Sequence, residues 1–186
     1  MKKEDYIIKT ERLELRLVSK SDAKQAFDIL QAHPTITKHL TFLPPQELSE
    51  TEDYFSFVNN LESLSELVWG IWLDGQYAGQ IGLHDIVYQS FLKKRTHDSA
   101  NLGYWLSPAF QGQGIMTEAV QSVLKFGFEK LNLHRIYAKH IAVNEASGRV
   151  LTKCGFKYIG TEREAAFYDG QWWNEKLYDL LKDDLT

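Results

Sequence analysis

The chain is short of cysteine. Cys154 stands alone, so no internal disulfide can form, which suits a reducing compartment. It also lacks long apolar runs. Nothing approaches the ~20 residues that a membrane-spanning helix needs, and the longest run, "LVWGIWL" at 67–73, has the length of a strand. The opening "MKKEDYIIKTERLELRL" puts charge after charge where a secretory signal would carry its apolar core, so no signal peptide is read there. A cytoplasmic protein is the expectation. Excess basic charge is missing too: 21 Lys+Arg against 25 Asp+Glu give a net charge of −4. Non-specific nucleic-acid binding leans on a basic surface, so a nucleic-acid partner is not expected, nor is a membrane. Mild acidity aids solubility and is compatible with a cationic substrate. There is no repeat, linker or low-complexity tract, and 186 residues fit one domain over 1–186.

What is present reads as alternating strands and helices. "RLELRLV" at 12–18 alternates apolar and charged residues, the period of a half-buried strand. A helix follows, with Ser19 or Ser21 as its cap. "SETE" at 49–52 has the capping-box pattern and opens a second helix to about residue 63. Two strands flank Asp74-Gly75, a dipeptide suited to the positive φ angles of a hairpin turn. "FLKKRTHD" at 91–98 reads as a polar loop, and "SANLGYWL" at 99–106 as the next strand. In the following helix Ile115, Ala119, Val120, Val123, Leu124, Gly127 and Leu131 share one face. A strand at 134–143 leads to a short helix with Asn144 as cap and Gly155 as stop. A second hairpin turns at Asp169-Gly170. The order implies an α/β domain with a mixed sheet and a βαβαβ segment at about 99–160.

"PAFQGQGIMTEAV" at 108–120 carries the main chemical signal. A P-loop needs Lys after its last glycine, but Ile115 follows Gly114. The dinucleotide fingerprint needs a third glycine where Thr117 stands, and an acidic residue ~20 positions on where "NLHRI" has none. Two readings remain. One is an ordinary strand-to-helix turn. The other is a cradle in which unpaired N–H groups at a helix start hold a pyrophosphate, with glycines letting the backbone approach it.

The stretch resembles the acetyl-CoA-binding motif of the GNAT acetyltransferase superfamily, Gln/Arg-x-x-Gly-x-Gly/Ala, with Met116 replacing the small last residue. The resemblance extends to "TERLELRLVSKSDA" and to "NEASGRVLTKCGF", and so covers about residues 8–181. "LGYWLSPAFQGQGIMTEAV" is similar to the branch that acetylates protein N-termini, including alanine and serine termini of ribosomal proteins. It implies a mostly antiparallel central sheet flanked by helices. It further implies acetyl-CoA as cosubstrate, with no metal. The loop amides of Gln111, Gly112, Gln113, Gly114, Ile115 and Met116 would hold the pyrophosphate, and Thr117 could add a hydroxyl. Tyr104, Trp105 and Leu106 would bond the pantetheine arm as an added strand, beside Asn144. A bulge in that strand would open the slot.

The implied mechanism is direct attack of a neutral amine on the thioester, with a backbone N–H of the 104–106 strand end holding the oxyanion. Ser147 would be the general acid for the leaving thiolate; the bland reading is a serine merely tolerated in a first helical turn. The base is sought among His84, Asp85, Glu162 and Glu164, with Glu164 and Asp85 ranked first; each is also explicable as a surface charge. Asn174 stands where the branch commonly has aspartate. Cys154 reads as buried rather than nucleophilic. An α-amine with a pKa near ~7.8 is roughly a tenth neutral at pH 7, whereas a lysine near ~10.4 demands ~3.5 kcal/mol more from the site. No strong base motif is visible, which favours an α-amine acceptor. Three functions stay open: an N-terminal α-amine acetyltransferase, an acetyltransferase for a small amine (polyamine or antibiotic), and a non-catalytic acyl-CoA-binding module. Two smaller features complete the reading. Lys93, Lys94 and Arg95 form either a solvated loop or a contact to the CoA 3′-phosphate. Trp172 and Trp173 straddle a strand that could support a homodimer.

Overall fold

Leu13 and Leu15 alternate with charged neighbours in "LELRL", and their burial makes this segment a strand with one face on a core. In the computed structural model, which describes residues 3–40, 42–91, 94–168 and 170–185, the elements follow in the order β1 (Ile8–Lys9), β2 (Leu13–Leu17), α1 (Ala23–Ala32), α2 (Leu48–Phe57), β3 (Leu67–Leu73), β4 (Gln76–Phe91), β5 (Lys94–Leu106), α3 (Ile115–Glu129), β6 (Arg135–Ile141), α4 (Glu145–Lys153), β7 (Lys157–Tyr168) and β8 (Gln171–Leu181). The strands form one eight-stranded sheet in the order β1-β2-β3-β4-β5-β6-β8-β7. Every neighbouring pair is antiparallel except β5–β6. This is the expected mixed, mostly antiparallel α/β architecture. The 99–160 segment keeps its βαβαβ order, but β7 lies at the edge beside β8, not beside β6.

Two apolar clusters cover opposite faces, as strand alternation requires. On one, α3 buries Ile115, Met116, Ala119, Val120, Val123 and Leu124 in a cluster with Ile81, Leu83, Leu102 and Ile136. Burying each such large aliphatic side chain stabilises by ~1.5–3 kcal/mol. The start of α3 is therefore anchored by core packing, not by its own short loop. Gly127 permits the close approach: a Cβ there would lie 2.8 Å from Ile136 Cδ1. On the other face α1 and α2 contribute Ala23, Ala26, Leu30 and Phe55 against Val68, Trp72, Tyr77 and Trp105.

The Asp74-Gly75 hairpin forms with both φ angles positive, 49° and 76°. The last hairpin closes with Tyr168 opposite Gln171; Asp169 lies outside the described residues. Three expectations need correction. Helix α2 starts one residue before Ser49 and ends at Phe57, and its capping box pairs Glu47 with Glu50, not Ser49 with Glu52. Asn59, at φ 63°, takes the chain out of helical geometry and hydrogen-bonds Val18 O and Val68 O instead. The supposed polar loop at 91–98 is mostly strand, because β4 and β5 continue their pairing to Phe91 opposite Lys94. Long antiparallel pairing there supplies backbone partners that polar side chains alone did not reveal.

Candidate active site

Strands β5 and β6 pair only at Ser99–Arg135, Ala100–Ile136 and Asn101–Tyr137. Both continue, to Leu106 and Ile141, but no longer touch as a ladder. The parting opens a cleft of about 1430 Å³ that reaches both faces of the sheet. Ser107 N–H donates to Ala78 O at 2.8 Å. By the alternation of antiparallel bonding, Trp105 also directs its main-chain groups at β4, while those of Tyr104 and Leu106 face the cleft. Trp105 therefore does not offer the backbone edge expected of it. Its indole lies on the α1–α2 side, where Nε1 donates to Gln80 Oε1 at 3.0 Å. The bulge is also displaced from expectation. His84 pairs with Asn101 and Val87 with Ser99, so the extra residue is in β4 and not in the 99–106 strand.

At one end of the cleft lies the glycine loop. Gly112 and Gly114 take φ of 74° and 77°, a region that only glycine enters freely. A Cβ on Gly112 would meet nothing within 4 Å, and one on Gly114 only Arg12 Nη2 at 3.7 Å. The first intrahelical bond of α3 runs from Glu118 N–H to Gly114 O at 3.0 Å. The amides of Ile115, Met116 and Thr117 thus have no helical partner and point out of a 15-residue helix at its positive end. Met116 buries its side chain in the core, so its bulk does not obstruct its own amide. Gln111 does different work. Its N–H donates to Pro108 O at 3.2 Å and its Nε2 to Leu106 O at 2.9 Å, bracing the loop against β5. An open concave nest of amides, continued by an unpaired strand edge, fits a pyrophosphate joined to an extended amide-bearing arm such as that of CoA.

Beside the strand edge stands a pair of hydroxyls. Tyr104 Oη and Ser147 Oγ are 2.9 Å apart, and Tyr104 Oη lies 3.2 Å from Ser147 O. Either oxygen can donate across the 2.9 Å contact; with Tyr104 as donor, Ser147 keeps its own proton for a group in the cleft. Ser147 is held by Asn144, whose Oδ1 accepts its N–H at 3.3 Å as the cap of α4. Burial pushes the Tyr104 phenol well above its ordinary value, so it keeps its proton. Cys154 is buried behind this pair, 3.7 Å from Thr117 O, and burial lifts its thiol to about 11. A neutral buried thiol is no nucleophile.

On the opposite face the cleft is walled by Ile36, Leu40, Phe42 and Tyr54, with Glu50, Glu66, His84 and Asp85 among its polar groups. Asp85 sits in the β4 bulge at φ 50° and is exposed. Glu162 and Glu164 do not line the cleft. Both are exposed on β7, where Glu164 N–H donates to Asn174 Oδ1 at 2.8 Å. The structure thus brings Ser147, Asn144, Tyr104, Asp85 and the glycine loop to one cleft and leaves Glu164 outside it. Sequence reading missed Glu66, the hydroxyl role of Tyr104, and the buried Glu175, which pairs with Lys139 at 2.7 Å. Their partners come from distant segments, so no local pattern marks them. The Lys93–Arg95 run falls outside the described side chains. Among the described residues no group of three His, Cys, Asp or Glu side chains could hold a metal ion, and no helix is long and apolar enough to cross a membrane.

Comparison with known proteins agrees with this geometry. Residues 12–157 match the acetyltransferase (GNAT) domain. The putative ribosomal N-acetyltransferase YdaF of Bacillus subtilis is 26% identical over 182 residues, 92% of each chain. The probable N-acetyltransferase YjcK of the same organism is 34% identical over 130 residues, 69% of this chain and 68% of its own. Among solved structures, RimL, a ribosomal-protein α-N-acetyltransferase in complex with coenzyme A, superposes with a TM-score of 0.84 at 23% identity. It covers 96% of this chain and 99% of its own.

Proposed function

The chain belongs to the GNAT acetyltransferase family, and within it we propose an enzyme that moves the acetyl group of acetyl-CoA to the α-amine of a protein N-terminus, as on a ribosomal protein. One observation carries this reading: a single cleft joins an amide cradle on one side of the sheet to a broad, apolar-walled opening on the other. The cradle, with Gly112–Thr117, suits a pyrophosphate; the main-chain groups of Tyr104 and the N–H of Leu106, whose carbonyl Gln111 takes, suit the pantetheine arm. Acetyl-CoA, when bound, supplies an activated thioester. The residues around it do the rest. A Leu106 or Tyr104 N–H faces the cleft where negative charge would develop on the carbonyl oxygen. The Ser147–Tyr104 pair holds a proton for the departing sulfur, with Asn144 fixing Ser147 in place. The names of YdaF and RimL support a protein N-terminus as acceptor. So does the size of the cleft, about 1430 Å³.

A polyamine is the second reading. Glu50, Glu66 and Asp85 line the acceptor side and would suit a polycation, and a 25%-identical relative is the spermidine N(1)-acetyltransferase of Escherichia coli. Mass analysis after incubation with acetyl-CoA separates the two. Peptides beginning with Ser or Ala should gain one acetyl group at the α-amine, while the same peptides blocked at that amine, and spermidine, should not.

A further inference from the structure

Gly82 and Gly103 lie opposite each other on β4 and β5. Two glycines side by side weaken a sheet, and they leave its surface bare. Here the bare patch forms the floor of the acceptor side of the cleft. Gln80, on the same face, is committed elsewhere: it accepts from Trp105 Nε1 and donates to Tyr77 Oη at 2.8 Å. One side chain reaches back over the glycines. A Cβ on Gly82 would lie 2.6 Å from His84 Nε2, and a Cβ on Gly103 3.4 Å from the same atom. Any side chain at 82 would displace the ring.

The ring is also held from its other nitrogen. Leu67 pairs with Leu83, which makes Glu66 the cross-strand neighbour of His84. Glu66 Oε2 lies 3.5 Å from His84 Nδ1. Both side chains are about three-quarters buried, at 27% and 29% exposure. The β4 bulge fixes the segment: Ile86 N–H donates to Ser65 O at 2.9 Å, so the chain on either side of the pair is tied together. Nδ1 is turned to the carboxylate, and Nε2 has no hydrogen-bond partner among the described residues. Gly103 and Tyr104 are consecutive in β5, so His84 and the Tyr104–Ser147 hydroxyls stand on opposite faces of the sheet at the parting of β5 and β6.

We propose that His84, oriented by Glu66, is the catalytic base that takes a proton from the acceptor ammonium. This rests on the reading that the cleft receives an amine. The acceptor nitrogen gives one proton to Nε2, and its freed lone pair forms the N–C bond to the acetyl carbon. The C–S electron pair leaves with sulfur, which receives a proton through the Tyr104–Ser147 hydroxyls. The second proton lost by nitrogen restores that hydroxyl pair. His84 then releases its own proton to water. Base and acid thus act from opposite faces, along the line of attack and departure. Asp85, exposed at the bulge, has no such oriented partner and is not assigned this role.

The titratable and charged groups that line the cleft with His84 include Glu50 and Tyr54 from α2, His39 from the turn preceding α2, Glu66 and Asp85; Lys139 and Glu175, also in the lining, pair with each other. The test uses the full chain, acetyl-CoA and a peptide beginning with Ser or Ala, from roughly pH 6 to pH 9. His84→Gln should lower kcat/KM by about 10²-fold near neutrality, with the loss narrowing at high pH where the amine is already free. Glu66→Gln should act in the same direction, more weakly, because Nδ1 loses the carboxylate that orients the ring. Acetyl-CoA affinity should be unchanged in both. Hydroxylamine, a weakly basic acceptor, should show little loss in either variant. A His84→Gln enzyme as active as the wild type throughout, or one equally impaired at all pH values and with hydroxylamine, overturns the assignment. If His84→Gln does not bind acetyl-CoA, Glu66→Gln carries the test on the same terms. A wild-type enzyme that acetylates no amine is a different result, and removes the functional reading beneath.

Discussion

Arg12 clamps the cradle loop to the helix it feeds, through Glu118. Arg12 Nε donates to Glu118 Oε2 at 2.7 Å, and Nη2 lies 2.6 Å from the same oxygen. Arg12 Nη1 reaches Gln113 O at 3.1 Å, while Thr10 Oγ1 donates to Glu118 Oε1 at 2.5 Å. A turn near the start of the chain thereby fixes a loop more than 100 residues later.

Arg12→Ala should therefore loosen the loop without touching the acid–base groups. Losing hydrogen bonds from a charged donor costs about 1.5–3 kcal/mol. The pair is partly exposed, so solvent screening puts the effect at the low end, about a tenfold weaker Kd for acetyl-CoA. Titration calorimetry should record that loss, with kcat at saturating acetyl-CoA nearly unchanged.

The same clamp predicts an acid limit. Burial pushes the Glu118 carboxyl upward, but hydrogen bonds from Thr10 and Arg12 outweigh it and hold the group below the usual glutamate range. A depressed folded-state pKa gives stability that is present above the unfolded pKa and lost as pH falls through the folded one. Acetyl-CoA binding should thus weaken below about pH 4, the ordinary glutamate range. In Glu118→Gln this part of the pH dependence should vanish, which fluorescence-monitored binding at several acidities would show.

Ser147→Ala and Tyr104→Phe should lower kcat in a non-additive way. The two hydroxyls form one unit at 2.9 Å, so removing either breaks the same proton path. Each single variant should lose about 10- to 100-fold in kcat, and the double variant little more. Stopped-assay kinetics on the four proteins close the cycle.

Cys154 should be chemically silent. With its thiol lifted to about 11 by burial, the native protein should resist iodoacetamide near neutral pH, and Cys154→Ala should keep full kcat. Peptide mass mapping before and after denaturation reads the first outcome directly.

The legible parts of this molecule were the local ones. Asp74-Gly75 announced its hairpin because both positions need positive φ, and Asn144 announced a helix start because its side chain can accept an amide three residues on. The glycine loop was readable for the same reason: the left-handed conformations at 112 and 114 are a property of those residues alone. What stayed hidden depends on distant pairing. Nothing in the 99–106 strand shows that the bulge lies across the ladder in β4. Glu66 gains meaning only when Leu67 pairs with Leu83, and Tyr104 only when α4 brings Ser147 to its hydroxyl. Glu164 ranked high as a nearby acid on a late strand, yet that strand is at the sheet edge and carries it away from the cleft.

The most direct test of the account is CoA release from acetyl-CoA, read with a thiol-reactive dye, for the wild type and for Gly114→Trp. Tryptophan at 114 would need the left-handed φ of 77° and would fill the open mouth of the cradle. The account predicts release by the wild type that depends on a peptide with a free Ser or Ala terminus, and none from the variant. Peptide-dependent release that survives Gly114→Trp would contradict it, because the acetyl donor would then not lie in this cradle.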